Sequence, residues 1–344
     1  MNIHWQKVLH DHWNISASLT RLNGEYDLNF MAITASGDGY VLKVMRPGCD
    51  SGLVEMQCAA LEHIHANAAE VSTPEVILTK QGTPFLELPD ENGEFRLVWM
   101  QERLDGMVYA DFRPHSQHLV TELGRQIGLM DKALAGFNHP CLAREFKWNL
   151  SAGEWIKNHL DAIEDVDRRT LLSGILADYR ELLPVLATMP DVAIHNDMND
   201  YNILVTASID GRHGVSGIVD FGDMVVSPRV CELAIAGAYV VLDHDKPEVM
   251  LAALVAGYHA IYPLEIAEID MIWPLLRMRL AVSVINSTLE AKDNPDDPYI
   301  TISQAPAWRF LDRNRVSDGL ISARLRTACG FPASVDRLFH RRDI

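Results

Sequence analysis

His195-Asn196-Asp197-Met198-Asn199-Asp200-Tyr201-Asn202, followed further on by Asp220-Phe221-Gly222-Asp223, is the stretch on which the reading of this chain turns. Between the two segments lie the apolar runs Ile203-Leu204-Val205 and Val215 to Val219, joined by the turn signal Asp210-Gly211. That pattern predicts a β-hairpin whose flanking loops face a common cleft. Asp and Asn are ordinary turn residues, and any one of them alone reads as structural. Two such loops in this order ask for more. One carboxylate can orient an alcohol and accept its proton, while hard oxygen ligands hold a divalent cation that neutralises phosphate charge. Asp197 suits the first task, and Asn202 with Asp220 the second. His195 reads as an anchor of its loop.

Working outward, the chain changes character at about residue 103. From about Ile15 to Met100, short β-like runs alternate with turn signals at Asn23-Gly24, Gly37-Asp38-Gly39 and Glu91-Asn92-Gly93, interrupted by one helix-like stretch from Leu53 to Asn67. Beyond Arg103, helical periodicity dominates, roughly at 114–135, 151–164, 168–187, 228–241, 246–260 and 266–290. The expectation is an α+β protein of two lobes. Residues 1–102 form a mostly antiparallel sheet lobe with one helix, and residues 103–344 a larger, mainly helical lobe. At 344 residues the chain is long enough to enclose a cleft between them.

Composition narrows the partners. With 47 acidic against 30 basic side chains, the formal charge of −17 repels phosphate backbones and anionic lipids, so neither nucleic acid nor membrane is expected. Two readings of the charge stay open: it draws cationic acceptors, or it serves solubility alone. Five scattered cysteines without a Cys-x-x-Cys pair fit a reducing compartment rather than a disulfide or zinc framework. The start Met1-Asn2-Ile3-His4-Trp5-Gln6-Lys7 lacks an apolar leader, and a cytoplasmic location follows as an expectation.

The paired loops have the order and spacing of kinase catalytic and metal loops. With Gly24-Glu25-Tyr26-Asp27-Leu28-Asn29-Phe30, Leu42-Lys43, Phe146-Lys147-Trp148-Asn149-Leu150 and Pro298-Tyr299, the chain resembles the aminoglycoside phosphotransferase and choline kinase superfamily, whose lobes are protein-kinase-like. Within it, the likeness is to hydroxylysine kinases. The resemblance implies a kinase that moves the γ-phosphate of ATP or GTP, with Mg2+, directly to a hydroxyl of a small molecule. It implies that Lys43 reaches the α and β phosphates, that Asn29 and Phe30 belong to the loop over the nucleotide, and that Trp99 to Arg103, with Met100 and Glu102, form the hinge beside the base. Gln57 stands where the wider superfamily has Glu. On the helix from Leu53 it shares the inward face with Ala60, Leu61 and Ile64, so a neutral amide is expected to partner Lys43. Asn196 and Asn149 replace the usual Gly and Asp.

The late helix carries a polar stripe, Arg279, Ser283, Asn286 and Glu290, in an otherwise apolar pattern. Either it faces solvent, or it reads a cationic or zwitterionic acceptor, with Arg279 on a carboxylate and Asp223, Glu232 or Glu290 on an ammonium group. Tyr299 joins the acceptor residues on resemblance alone. The resemblance favours a hydroxylated amino acid or amino alcohol such as hydroxylysine; homoserine, choline-like alcohols and aminoglycosides are alternatives. A nucleotide-binding protein that has lost catalysis is the rival class, and Gln57 is its main footing. An all-helical binding scaffold leaves the Lys43 strand unexplained.

Overall fold

The computed structural model describes residues 2–22, 27–207, 213–294, 304–313 and 317–333. It opens with a helix additional to the one expected in the first lobe, α1 (Asn2–Trp13). Trp5, Val8, Leu9 and Trp13 recur at helical spacing and bury their shared face against the sheet that follows. The Trp13 indole N–H donates to the Ile77 carbonyl at 2.9 Å.

That sheet comprises β1 (Ala17–Leu22), β2 (Leu28–Thr34), β3 (Gly39–Val44), β4 (Phe85–Pro89) and β5 (Phe95–Glu102). Its order is β1-β2-β3-β5-β4, and every pairing is antiparallel. Register decides its two faces. Phe30, Leu42 and Met100 lie abreast in one row, and Asn29, Lys43 and Trp99 in the next. Successive residues point to opposite faces. The first row packs against α1. Trp99, of the second row, belongs to the core on the other side, shared with α2 (Ser51–Asn67). Asp50 caps α2 by accepting from the Gly52 N–H. Val54, Met56, Gln57, Ala60, Leu61 and Ile64 are buried along its inner face.

After the sheet come β6 (Met107–Val108) and α3 (Gln117–Leu134), then α4 (Val166–Leu186). The helix expected at 151–164 is instead a pair of 3-10 segments, Leu150–Asn158 and Leu160–Ala162. The Tyr179 hydroxyl explains the difference: it takes the Gly153 N–H and donates to the Leu150 carbonyl at 2.9 Å, diverting main-chain groups an α-helix would use. Next stand β7 (Asp191–Ile194), β8 (Ile203–Ala207), β9 (His213–Ile218) and β10 (Val225–Pro228). The helices α5 (Val230–Val240), α6 (Pro247–Ile261), α7 (Ile266–Asp293), α8 (Gln304–Arg313) and α9 (Asp318–Ala328) complete the larger lobe. Helices α3 and α6 cross through two glycines: a Cβ on Gly124 or on Gly257 would run into the carbonyl oxygen of Leu254 or Thr121 respectively. Among the described residues no helix is long and apolar enough to cross a membrane.

The expected hairpin is β8 with β9, and its turn lies outside the described residues. A second antiparallel pair, β7 with β10, stands at the other ends of the two polar loops. Each loop is therefore held between two short ladders. This frame fixes the site.

Candidate active site

His195, fully buried, ties the two loops together. Its Nδ1 accepts the Asp197 N–H at 3.2 Å, so Nε2 carries the proton and donates to the Val219 carbonyl at 3.1 Å. Burial pushes its pKa below the ordinary imidazole value, and the ring meets Phe221 edge-on at 4.7 Å. The anchor reading of His195 agrees with this geometry. Asn196 has φ 67, a left-handed conformation, which explains why Gly is usual there. Its N–H donates to Glu232 Oε2 at 2.9 Å and its amide nitrogen to the Asp223 carbonyl at 3.1 Å.

Asp197 sits at the centre. Its Oδ2 accepts the amide nitrogens of Asn199 at 2.9 Å and Asn202 at 2.8 Å, while its Oδ1 accepts Arg279 Nη2 at 3.1 Å. Across the cleft Lys43 Nζ donates to Asp220 Oδ1 at 2.8 Å, and this cation holds the Asp220 carboxyl below its usual range. Asp220 too is left-handed, at φ 66. Asp223 follows one short turn later. Burial, then the charges of Asp197 and Asp220, push its carboxyl up to about 7. Arg144 clamps this loop, donating to the Gly222 carbonyl at 2.7 Å and the Met224 carbonyl at 3.3 Å.

The donor set suits a divalent ion carried mainly by phosphates. Asn202 commits its amide nitrogen to Asp197, so its oxygen is the atom left for a cation, and Asp220 retains Oδ2. Among the described residues no three carboxylate, imidazole or thiol side chains converge as an all-protein metal site. Mg2+ sites built around substrate phosphates need only one or two carboxylates from the protein.

Other expected residues fall elsewhere. Phe30 and Met100 are fully buried on the α1 face, away from Lys43, so neither side chain reaches the cleft. Glu102 shares their parity on β5 and its side chain is exposed; its N–H donates to the Glu75 carbonyl at 2.8 Å. Asn29 does share the Lys43 face. Gln57 is buried, but its amide nitrogen donates to the Leu53 carbonyl at 3.1 Å, and the partner of Lys43 is Asp220. Glu232 is inaccessible beneath Asn196, where it braces the loop instead of meeting a ligand. Glu290 pairs with Lys147 at 2.6 Å. Arg279, Ser283 and Asn286 are 2%, 8% and 4% exposed, which excludes the solvent-facing reading for those three. Arg279 directs its Nη groups to Trp148, Asp197 and Tyr239, and its Nε is buried without a partner among the described residues, so its two Nη groups are already engaged within the protein. Tyr299 lies outside the described residues, as do Asn23 to Tyr26 of the proposed phosphate loop.

Asp200, Arg144, Trp148 and Tyr239 are site residues that the sequence pattern alone did not single out. Burial lifts the Asp200 carboxyl to about 6, with Asp111 and Asp197 close enough to repel it. Its position inside the decisive motif was the available signal.

Residues 18–269, well over half the chain, match the model of the phosphotransferase enzyme family. The chain belongs to that family. It is a small-molecule phosphotransferase acting on a hydroxyl group. Among curated proteins, this phosphotransferase is 26% identical over 312 residues to a hydroxylysine kinase of Danio rerio, covering 88% of this chain and 87% of that protein. It is 28% identical over 289 residues to one of Mus musculus, covering 80% and 76%. Among solved structures, an aminopropanol kinase aligns with a TM-score of 0.62 at 17% identity, over 96% of this chain and 100% of the other. An amicoumacin kinase solved with AMP-PNP and Ca2+ aligns with a TM-score of 0.62 at 16% identity, over 86% and 87%. These likenesses carry the two-lobed, kinase-like α+β fold.

Proposed function

We propose that this phosphotransferase moves the γ-phosphate of ATP or GTP, with Mg2+, to the hydroxyl of a hydroxylated amino acid or amino alcohol of the hydroxylysine kind. The observation that supports the reading is that His195 ties the Asp197 loop to the Asp220 loop, with Asn202 on Asp197 and Lys43 on Asp220, in a chain similar over most of its length to proteins named hydroxylysine kinase. In this reading Asp197 aligns the acceptor hydroxyl and takes its proton as the oxygen attacks the γ-phosphorus; the bond to the β-phosphate oxygen breaks and the nucleoside diphosphate leaves. Lys43 holds the α and β phosphates, exchanging Asp220 for them. Asn202 and Asp220 would hold the divalent ion, which when bound would neutralise charge building on the phosphate oxygens.

Asp200 and Asp223 lie near enough to Asp197 to feel its charge, and their carboxyls are raised first by burial, a setting in which an incoming ammonium group would be favoured. The lobes meet near Glu102 and Arg103, and the acidic surface and unpaired thiols suit a cytoplasmic protein that binds neither nucleic acid nor membrane.

The test is nucleotide consumption by purified protein, with ATP and GTP in turn and Mg2+, against hydroxylysine, homoserine, ethanolamine-type alcohols, choline and aminoglycosides. Hydroxylysine or a close amino alcohol should give the highest kcat/KM, and Asp197→Ala should abolish turnover while keeping ADP binding. Turnover confined to aminoglycosides, or none lost in Asp197→Ala, overturns the proposal.

A further inference from the structure

We infer that Arg279 is a positioning residue for phosphoryl transfer: it fixes the Asp197 carboxylate through Oδ1 and supplies the positive charge that this carboxylate needs among Asp200, Asp220 and Asp223. The inference rests on the proposed role of Asp197 as acceptor of the hydroxyl proton.

The guanidinium is 2% exposed. It lies over the Trp148 ring at 4.6 Å and within 5.9 Å of the Tyr239 ring. Its Nη1 donates to the Trp148 carbonyl at 3.3 Å, and its Nη2 is shared between Asp197 Oδ1 at 3.1 Å and the Tyr239 hydroxyl at 3.4 Å. A buried cation is costly unless paired, and its pair here is the central carboxylate of the site. A planar fork stacked on an aromatic ring cannot swing as a lysine would. The side chain therefore acts as a fixed strut from α7 to the loop.

The consequence for Asp197 is geometric. Oδ2 receives two amide N–H donors, from Asn199 and Asn202, which use the two lone pairs of a carboxylate oxygen. Oδ1 receives the single donor from Arg279 and keeps one lone pair open. The hydroxyl proton is delivered to Oδ1, and Arg279 decides where that oxygen stands. Lys43 answers Asp220 in the same way, so each of the two carboxylates has one cation, from opposite lobes.

The experiment uses the full chain and needs no knowledge of the natural acceptor. ATP turnover is measured with water as acceptor and with hydroxylysine, for wild type, Arg279→Ala and Arg279→Lys, with ADP affinity by calorimetry as the check on folding. Loss of the strut should lower kcat about 100-fold, the scale of a misplacement of about 1 Å, with ADP affinity unchanged. Millimolar guanidinium ion should restore part of the lost kcat in Arg279→Ala, and Arg279→Lys should fall between. If Arg279→Ala does not fold, a folded Arg279→Lys with reduced kcat and unchanged KM for ATP supports the inference in its place. Unchanged kcat, or a rise in hydroxylysine KM alone, overturns the inference and returns Arg279 to acceptor binding. Wild-type turnover in Asp197→Ala would instead sink the reading beneath it.

Discussion

Replacing Glu232 by Gln separates the two things this buried residue does. The carboxylate is fully buried, and its Oε2 accepts the Asn196 N–H at 2.9 Å. Gln keeps an oxygen for that bond and removes the charge. Burial is the first cause that pushes the Glu232 carboxyl up, from 4.5 to about 7. Between those two values the folded protein retains the proton while the unfolded chain has lost it, so stability falls as pH rises through the window. Above about pH 7 the full cost is present, about 3 kcal/mol for a displacement of that size. Asp131, whose carboxyl is raised by its own burial and then by the Glu232 charge, pushes in the same direction. Urea unfolding of wild type and Glu232→Gln at pH 5 and pH 8 checks this. The variant should gain about 2 to 3 kcal/mol relative to wild type between the two conditions, whatever fixed cost the new amide carries at both. Its kcat should stay near wild type because Asn196 remains held, whereas Glu232→Ala, which strands a buried N–H at about 1 to 3 kcal/mol, should lose turnover. A stability difference that does not change with pH would refute the buried-charge argument.

Phe30→Ala should lower stability by about 3 to 5 kcal/mol through the α1-side core, while the milder Phe30→Leu leaves KM for ATP unchanged; a KM shift in the folded Leu variant would return Phe30 to the cleft. Lys43→Met should raise KM for ATP about tenfold with little effect on KM for the acceptor, the scale of one lost charge-assisted contact, as steady-state kinetics would show. Gly257→Ala, whose new methyl would meet the Thr121 carbonyl oxygen, should force α3 and α6 apart and cost about 3 kcal/mol, read as a lower urea midpoint with an unchanged m-value.

The loops around Asp197 and Asp220 are legible in the sequence because their chemistry is local: ligand types, order and a hairpin between them survive in a one-dimensional string. The faces of the sheet are not. A strand shows alternation but not which alternate faces the cleft, and a slip of one residue inverts every assignment; the resemblance puts Phe30 in the loop over the nucleotide and Met100 in the hinge, and it does not show that both side chains point to α1. The helix α1 itself is written in the spacing of Trp5, Val8, Leu9 and Trp13, a pattern too interrupted by polar residues to stand out as an apolar run. The polar stripe on α7 is visible in its spacing. Its partners are not, since Arg279 finds Asp197 from 82 positions away.

Gln57 shows how one substitution redistributes a site's charge. A Glu at this inward position would offer Lys43 a carboxylate from α2, tying the sheet to that helix whether or not the catalytic loop is in place. The neutral amide turns to the Leu53 carbonyl, and Lys43 leans on Asp220, with the Trp99 ring 5.4 Å from its ammonium. The lysine is therefore held by the same carboxylate that the proposed mechanism gives to the divalent ion. In the proposed mechanism nucleotide and ion would share this contact: the phosphates would take Lys43 from Asp220, leaving that carboxylate to serve as a ligand for the ion. In that mechanism Gln57 would be compatible with catalysis, because the charge absent from α2 is met by Asp220 in this structure and would be met by the phosphates once nucleotide binds.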